Sequence, residues 1–427
     1  MKSFKRVLAK IRGKASKGTA APSSAAPARV DSPAAPAAIE RKQQQQVLAA
    51  NTPGTLQLAL QNRTNSSNVH AYITGLSLDN GNRPIFIQAD GRTVHYPPSP
   101  AQPLANVTVD VAIPLGAPGN TVNATIPKIA GGRIWFVVDG RLTFFVNPGP
   151  NIVNPSTTNS SDPNYNVNWT FAEFTYNDQQ LFANISYVDF CSIPVGLTLT
   201  TVNSGTLTVP GMAADGFQRV VAEMRAQAQR DGKPWDQLIY TPPGGQPLRV
   251  LNPTQLLATN GNAWSNYWDG YVTAVWNKYR NEDMTINTQA AAGNLTGRVD
   301  ANGLLQLGAA GSFSRPNSAD IFTCSTGPFQ TGQNLARDGV IPRLAAAFNR
   351  SQLLNTPGNQ FPNGGTPASY YNDVTTNHYS RAVHAVQKDG RGYAFPYDDV
   401  VPDGGQDVAG TLHAGDPVLF TLAVGGN

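Results

Sequence analysis

The 427-residue chain contains only two cysteines, Cys191 and Cys324. Two are too few for a disulfide scaffold, and their separation is not that of a metal knuckle. They form either a single bridge or two buried thiols that pack as small apolar groups. Histidine is also scarce: five residues (His70, His95, His378, His384 and His413), of which only His378 and His384 are near each other, six apart. Metal ligands on one helical face usually sit three or four apart, so this pair reads as capping, packing or hydrogen bonding, and neither a metal nor an organic cofactor is expected. No run approaches the roughly 18 apolar residues of a membrane span, so no transmembrane segment is expected. The chain also lacks the phosphate-binding G-x-x-x-x-G-K-[ST] loop, the G-x-S-x-G nucleophile elbow and the H-E-x-x-H metal helix. It shows no internal repeat.

Charged residues are 14% of the chain, against 40 glycines and 33 prolines, a balance that favours short strands and tight turns over long salt-bridged helices. Residues 1–50 hold ten Lys or Arg against Asp31 and Glu40, a net +8 that leaves −4 for the rest of a chain whose total is +4. The basic pI therefore describes the amino-terminal segment, and a nucleic-acid-binding reading rests on that segment alone. The start, "MKSFKRVLAKIRGKASKGTAAP", lacks the apolar core of a secretory signal and spaces Phe4, Val7, Leu8 and Ile11 at helical intervals opposite a basic face. Three readings stay open: an organelle presequence, a helix with weak affinity for a membrane surface, or a basic tail without fixed structure. From Ser16 to about Ala50 an Ala/Pro/Ser-rich stretch and "ERKQQQQ" offer too little apolar surface to offset ordering, so residues 1–50 are expected to be a disordered, low-complexity tail.

Strand patterns begin at "GTLQLALQNRT" and recur to about residue 208, which predicts a β-barrel or sandwich over 51–208. Within "VVDGRLTFF", Asp139-Gly140 is the dipeptide that a type I′ hairpin turn prefers. Helical stripes then appear in "ADGFQRVVAEMRAQAQRDGKPW", with Asp215 as N-cap and Gly232 as terminator, and in "YWDGYVTAVWNKYR", "VIPRLAAAFNRSQLL" and "HYSRAVHAVQKDG". Short strand patterns lie among them, so 209–399 reads as mixed α and β. The closing run "DPVLFTLAV" returns to a strand pattern, and 400–427 is expected to complete the first domain.

Chemistry is then left to carboxylates. In "WTFAEFTYNDQQLFANISYVDF", Glu173 shares a strand face with Phe171 and Thr175, and Asp189 shares one with Ile185, Tyr187 and Cys191. A β-rich chain with few histidines suits glycoside hydrolysis, which needs one acid on the leaving oxygen and one carboxylate for water or direct attack. Apolar neighbours favour the protonated form that a general acid needs. The plain alternative is two solvated charges. A hairpin centred between Asp178 and Gln179 puts Asn184 opposite Glu173 and leaves Asp189 five residues away, about 17 Å at roughly 3.3 Å per residue, unless the chain bulges or bends.

The stretch "NWTFAEFTYNDQQLFANISYVDF" resembles the signature of glycoside hydrolase family 64, endo-β-1,3-glucanases in which a strand ending Glu-Phe-Thr-x-Asn-Asp is followed sixteen residues later by Val-Asp. "GGRIWFVVDGRLTFFVNPGPNIVNPS", "NYWDGYVTAVWNKYR", "SADIFTCSTGP", "RLAAAFNRSQLL", "TTNHYSRAVHAVQKDGRGYAFPYDDV" and "DPVLFTL" resemble further blocks in order, over about residues 53–424. The resemblance implies a thaumatin-like β-barrel and a mixed α/β domain flanking a wide groove, and hydrolysis of β-1,3-glucan without a cofactor. It implies an inverting single displacement with Glu173 as acid and Asp189 as base, their carboxyls about 6.5–9.5 Å apart. Thr175 and Asn177 match sugar-contacting positions; Phe182 stands where the family has a stacking tryptophan. Asp320, Asn377 and His378 fall in blocks that resemble its groove-facing region. An extracellular or cell-wall location follows from the resemblance only, since no secretory signal is visible. The alternative is a thaumatin-like β-glucan-binding or wall-associated protein without turnover, suggested by Phe182 and the unmatched basic tail.

Overall fold

The computed structural model describes residues 52–426, so the calls made on the basic amino-terminal segment lie outside the described residues. The principal strands are β1 (Leu56–Asn62), β2 (Val69–Ser77), β3 (Arg83–Ile87), β4 (Thr121–Ile126), β5 (Ile129–Val138), β6 (Asn168–Tyr176), β7 (Leu181–Ile185), β8 (Val195–Thr201), β9 (Thr206–Val209), β10 (Thr411–Ala414) and β11 (Pro417–Val424). The helices are α1 (Gly216–Asp231), α2 (Pro253–Thr259), α3 (Asp269–Lys278), α4 (Ser318–Thr323), α5 (Leu335–Asn349) and α6 (His378–Val386). The protein is thus mainly β, with its helices between β9 and β10.

One sheet has five strands in the order β9–β8–β11–β1–β4, and its closing strand β11 lies between β8 and β1, parallel to the latter. The other has eight strands, built on β10–β7–β6–β5–β2–β3. Alternation of Leu56, Leu58 and Leu60 with polar neighbours buries one face of β1, as a strand with one solvated face requires. The run Ile134–Val137 is buried on both faces, which suits the central position of β5. A single cluster of buried apolar residues joins these sheets to the helices. Neither sheet closes on itself among the described residues: the five-stranded one ends on β9 and β4, the larger one on β10 and the short strand Val94–His95. Of the barrel or sandwich that the strand pattern suggested, no closed barrel is found among the described residues, and the pairing shows two open sheets.

The central strand β5 carries a bulge. Pairing with β6 and with β2 both shift register where β5 passes Ala130–Gly132, and Gly131 adopts φ 55°. Such an insertion sharpens twist and re-aims the side chains beside it. Gly132 is also required for space, because a Cβ there would come within 2.4 Å of the Phe174 ring. Arg133, the next residue, pairs with Glu173.

The turn expected at Asp139-Gly140 is present only in part. Asp139 takes a left-handed φ of 57°, but the chain does not fold back on β5. Phe145–Asn147 pairs instead with Asn151–Val153 and Ala105–Asn106. Leu142 and Phe144 are drawn into the core, and the Leu142 N–H donates to the Tyr72 hydroxyl at 3.0 Å. Burial of those apolar residues outweighs a local hairpin preference. Helix termini follow the sequence more closely: α1 ends at left-handed Gly232, although Asp215 makes no side-chain capping bond. Cys191 and Cys324 are free, buried thiols, and burial pushes both well above the usual thiol range.

Candidate active site

The hairpin β6–β7 pairs Tyr176 with Leu181, Thr175 with Phe182 and Glu173 with Asn184, the register expected from a turn centred between Asp178 and Gln179. Asn177 Oδ1 holds that turn by accepting from the N–H groups of Gln179 and Gln180, each at 2.9 Å. Directly opposed residues of an antiparallel ladder project from the same face. One face of the eight-stranded sheet therefore carries a polar row across five strands: Thr74, Arg133, Glu173, Asn184 and Thr411. On one side of it lies the buried aromatic floor of Tyr72, Trp135 and Phe171. On the other lie Thr175, Phe182 and His413, half-buried to exposed.

Glu173 stands where this face changes from buried to open, its side chain 33% exposed. Arg133 donates to it from both Nε (3.1 Å) and Nη2 (3.0 Å), each to Oε1, so Oε2 is not part of the pair. The guanidinium also lies 4.9 Å from the ring centre of Phe171 and 5.5 Å from that of Trp135. Stacking and a planar fork fix its orientation, and with it that of the carboxylate. Trp135 is itself anchored by donating from Nε1 to Thr74 Oγ1 at 3.0 Å.

Asp189 lies beyond the ladder. The β6–β7 pairing ends at Ile185, and the following residues are held by other parts of the chain. Ser186 bridges Tyr393, and the Tyr187 N–H donates to the Tyr393 carbonyl at 2.8 Å. The Asn252 N–H donates to the Asp189 carbonyl at 2.9 Å, and Asn252 Nδ2 donates to the Ala394 carbonyl at 2.8 Å. Gln255, on α2, donates to Asp189 Oδ1 at 2.9 Å. Electrostatically Tyr393 senses Glu173 and Tyr379 senses Asp189; in both tyrosines burial, the larger effect, also drives the phenol pKa up. Asp189 is thus the last residue of a braced segment, 186–189, that follows the strand facing Glu173.

That brace has a charged anchor. Asp398, fully buried, accepts from Arg350 Nη2 at 2.9 Å, from the Ala394 N–H at 3.0 Å, and pairs with His384 Nε2 at 2.9 Å. Burial alone would lower the His384 pKa, but the charge and hydrogen bond of Asp398, with the Gly390 carbonyl, raise it. Burial would raise that of Asp398, but His384 and then Arg350 bring it below the usual carboxylate value.

Three sequence candidates do not lie on the polar face. Asn377 is fully buried; it caps α6 through the Ser380 N–H and donates to Asn349. His378 is 2% exposed and hydrogen-bonds the Val374 carbonyl, and burial followed by the Arg381 charge lowers its pKa to about 4. Asp320 closes the capping box of α4 with Asn317 and accepts from the Thr326 hydroxyl. Capping and packing account for the hydrogen bonds of all three. Trp268, Tyr271 and Trp276 are core residues. Among the described residues no group of three or more His, Cys, Asp or Glu is placed to hold a metal. An open hollow lined by Arg225, Lys233, Gln237 and Asn262 includes none of the candidates. Sequence reading passed over Arg133, Asn184 as a side chain, Gln255 and Tyr393. Only Arg133 left a signal, as a lone charge inside the apolar strand "GGRIWFVV" that needs a partner on the facing strand.

The chain is a member of glycoside hydrolase family 64, whose β-1,3-glucanase model matches residues 54–424. It is 27% identical over 358 residues to a glucan endo-1,3-beta-glucosidase of Cellulosimicrobium cellulans, covering 82% of this chain and 62% of that protein. The chain therefore spans somewhat less than two thirds of that curated relative. It is similar to a solved laminaripentaose-producing β-1,3-glucanase in complex with laminaritetraose, with 30% identity, a TM-score of 0.75 and coverage of 87% of this chain and 99% of that one. A β-1,3-glucanase domain from Clostridium beijerinckii shares the fold at 22% identity and a TM-score of 0.66, over 88% of this chain and 99% of that one.

Proposed function

We propose that this chain is an endo-β-1,3-glucanase that hydrolyses β-1,3-glucan by inverting single displacement, with Glu173 as general acid and Asp189 as general base. The observation that carries the reading is Glu173 itself. It is half-exposed, oriented by Arg133 through one oxygen, and set in a polar row on an open sheet face within a chain of this family. In this reading Glu173 gives its proton to the departing glycosidic oxygen as the C1–O bond breaks. Asp189 takes a proton from a water that attacks C1 from the opposite side of the ring, so the product anomer is inverted. The sugar chain runs along the face bearing Thr175, Asn177 and Phe182. Thr175 offers a hydroxyl, Asn177 the amide nitrogen left free by its turn, and Phe182 an apolar ring against a sugar face. The thaumatin-like groove between β-rich and helical parts belongs to the same reading, with residues 51–208 and 400–427 on one side and 209–399 on the other.

Incubation with laminarin or curdlan, followed by reducing-end release and by NMR of the first anomer formed, tests the proposal. The expected result is α-anomeric product from the wild type and loss of at least about a thousandfold in kcat for Glu173→Gln and for Asp189→Asn, each folded as the wild type. Undiminished release by Glu173→Gln rejects the acid assignment. Retention on insoluble glucan without any product favours the non-catalytic binding protein.

A further inference from the structure

The polar row holds one group that no side chain or backbone among the described residues satisfies. Asn184 is 7% exposed, and its Oδ1 is buried without a hydrogen-bond partner. It stands directly opposite Glu173 on β7, with Thr411 on its other side. A buried acceptor left unpaired is destabilising, and a valine at this position would form the strand at least as well. Such a group calls for a partner from outside the protein, a water or a ligand. Both flanking residues, Glu173 and Thr411, are only half-buried, so the amide sits at the margin of the open face. If the amide is viewed with oxygen and nitrogen exchanged, the unpaired atom becomes a donor. A sugar hydroxyl donates and accepts, and so satisfies either orientation.

We infer that Asn184 is a substrate-binding residue: its amide takes a ring hydroxyl of the glucosyl unit whose glycosidic oxygen lies at Glu173, and so sets that oxygen against the acid. This rests on the glucanase reading and deepens it. Thr74 and Arg133, on the far side of Glu173, are already engaged with Trp135 and with Glu173. Asn184 is the buried member of the row beside the acid whose side-chain oxygen has no partner among the described residues.

The experiment compares Asn184→Val and Asn184→Ser with the wild type by thermal melting, by kcat/KM on a β-1,3-linked glucohexaose, and by calorimetric binding of that hexaose in a Glu173→Gln background. The expected result for Asn184→Val is a Tm equal to or above that of the wild type, because an unsatisfied acceptor is removed, with binding and kcat/KM reduced about 10- to 100-fold. Asn184→Ser, which keeps a hydroxyl, loses less than about tenfold. Binding and kcat/KM within twofold of the parent for Asn184→Val overturn the inference, as does a lowered Tm with unchanged affinity, which marks a purely structural side chain. The two readings separate cleanly: wild-type turnover by Glu173→Gln removes the acid assignment while the Asn184 effect on binding stays measurable. A dead Glu173→Gln with unaffected Asn184 variants removes only the present inference.

Discussion

Replacing Arg133 probes how the proposed acid is held. The fork donates twice to Glu173 Oε1, at 3.0 and 3.1 Å, and stacks over Phe171 and Trp135. Hydrogen bonds to a charged group are worth about 1.5–3 kcal/mol when buried, and each cation–π contact about 0.5–1 kcal/mol at accessible sites. The side chains here are 27% and 33% exposed, so solvent screening takes the ion pair toward the low end. Arg133→Met, which keeps the apolar stem, is expected to lower unfolding free energy by about 1–2 kcal/mol, read from urea denaturation. The effect on turnover is expected to be larger. A carboxylic acid free to rotate spends little time aimed at the leaving oxygen, and misplacement of that kind costs about 10- to 100-fold in kcat with KM little changed. Arg133→Lys keeps the charge but neither the planar fork nor the stacking, and should fall between methionine and wild type. An Arg133→Met enzyme with kcat within twofold of wild type, at a concentration where it is fully folded, refutes a positioning role and leaves Arg133 as packing.

Gly132→Ala should lower Tm markedly, by about 1–3 kcal/mol of stability, because its Cβ would meet the Phe174 ring at 2.4 Å in a filled core; an unchanged melting curve contradicts the packing described. His378 titrates near 4 in the folded state against an ordinary 6.5, so its neutral form stabilises the fold. That contribution is complete above pH 6.5, is lost as pH falls toward 4, and amounts to at most about 3 kcal/mol. His378→Gln should therefore show a flatter stability profile between those pH values than the wild type, and equal slopes count against it. Asp398→Ala leaves Arg350 and His384 buried without their carboxylate, and is expected to cost about 3–5 kcal/mol by chemical denaturation. A loss below 1 kcal/mol excludes Asp398 as the anchor of the segment at Ala394.

The parts of the fold legible in the sequence are those fixed by neighbours along the chain. The β6–β7 register followed from alternation and from a turn whose Asn177 side chain binds the next two N–H groups. Helix α1 followed from its apolar stripe and from Gly232. What the sequence left open was settled at long range. Asp139-Gly140 has the chemistry of a hairpin turn, yet burial of Leu142 and Phe144 sends the chain into another sheet. Asn377 and His378 lie in a motif that resembles a sugar-facing block, but their side chains serve the amino-terminal turns of α6 and the interior behind it. Arg133 is forty residues from Glu173, and nothing local to either reports that their strands are neighbours.

The placement of Asp189 follows from where the ladder stops. Had β7 continued in register, each residue after Asn184 would have carried the chain about 3.3 Å further from Glu173. Pairing ends at Ile185, and from Ser186 the chain is held by Tyr393, Asn252 and Gln255, all supplied by the region between β9 and β10. Glu173 is therefore oriented by the sheet, through Arg133, and Asp189 by the helical region, through α2 and the segment that Asp398 anchors. Two acids with independent supports can be disturbed one at a time. If Glu173 and Asp189 act as proposed, loosening the helical brace weakens activation of water while leaving the Arg133 pair intact, and loosening Arg133 does the reverse. Asn184 lies on the sheet side of that division, so under the proposed mechanism a sugar held there is registered against Glu173, and the water is activated from the side of Asp189.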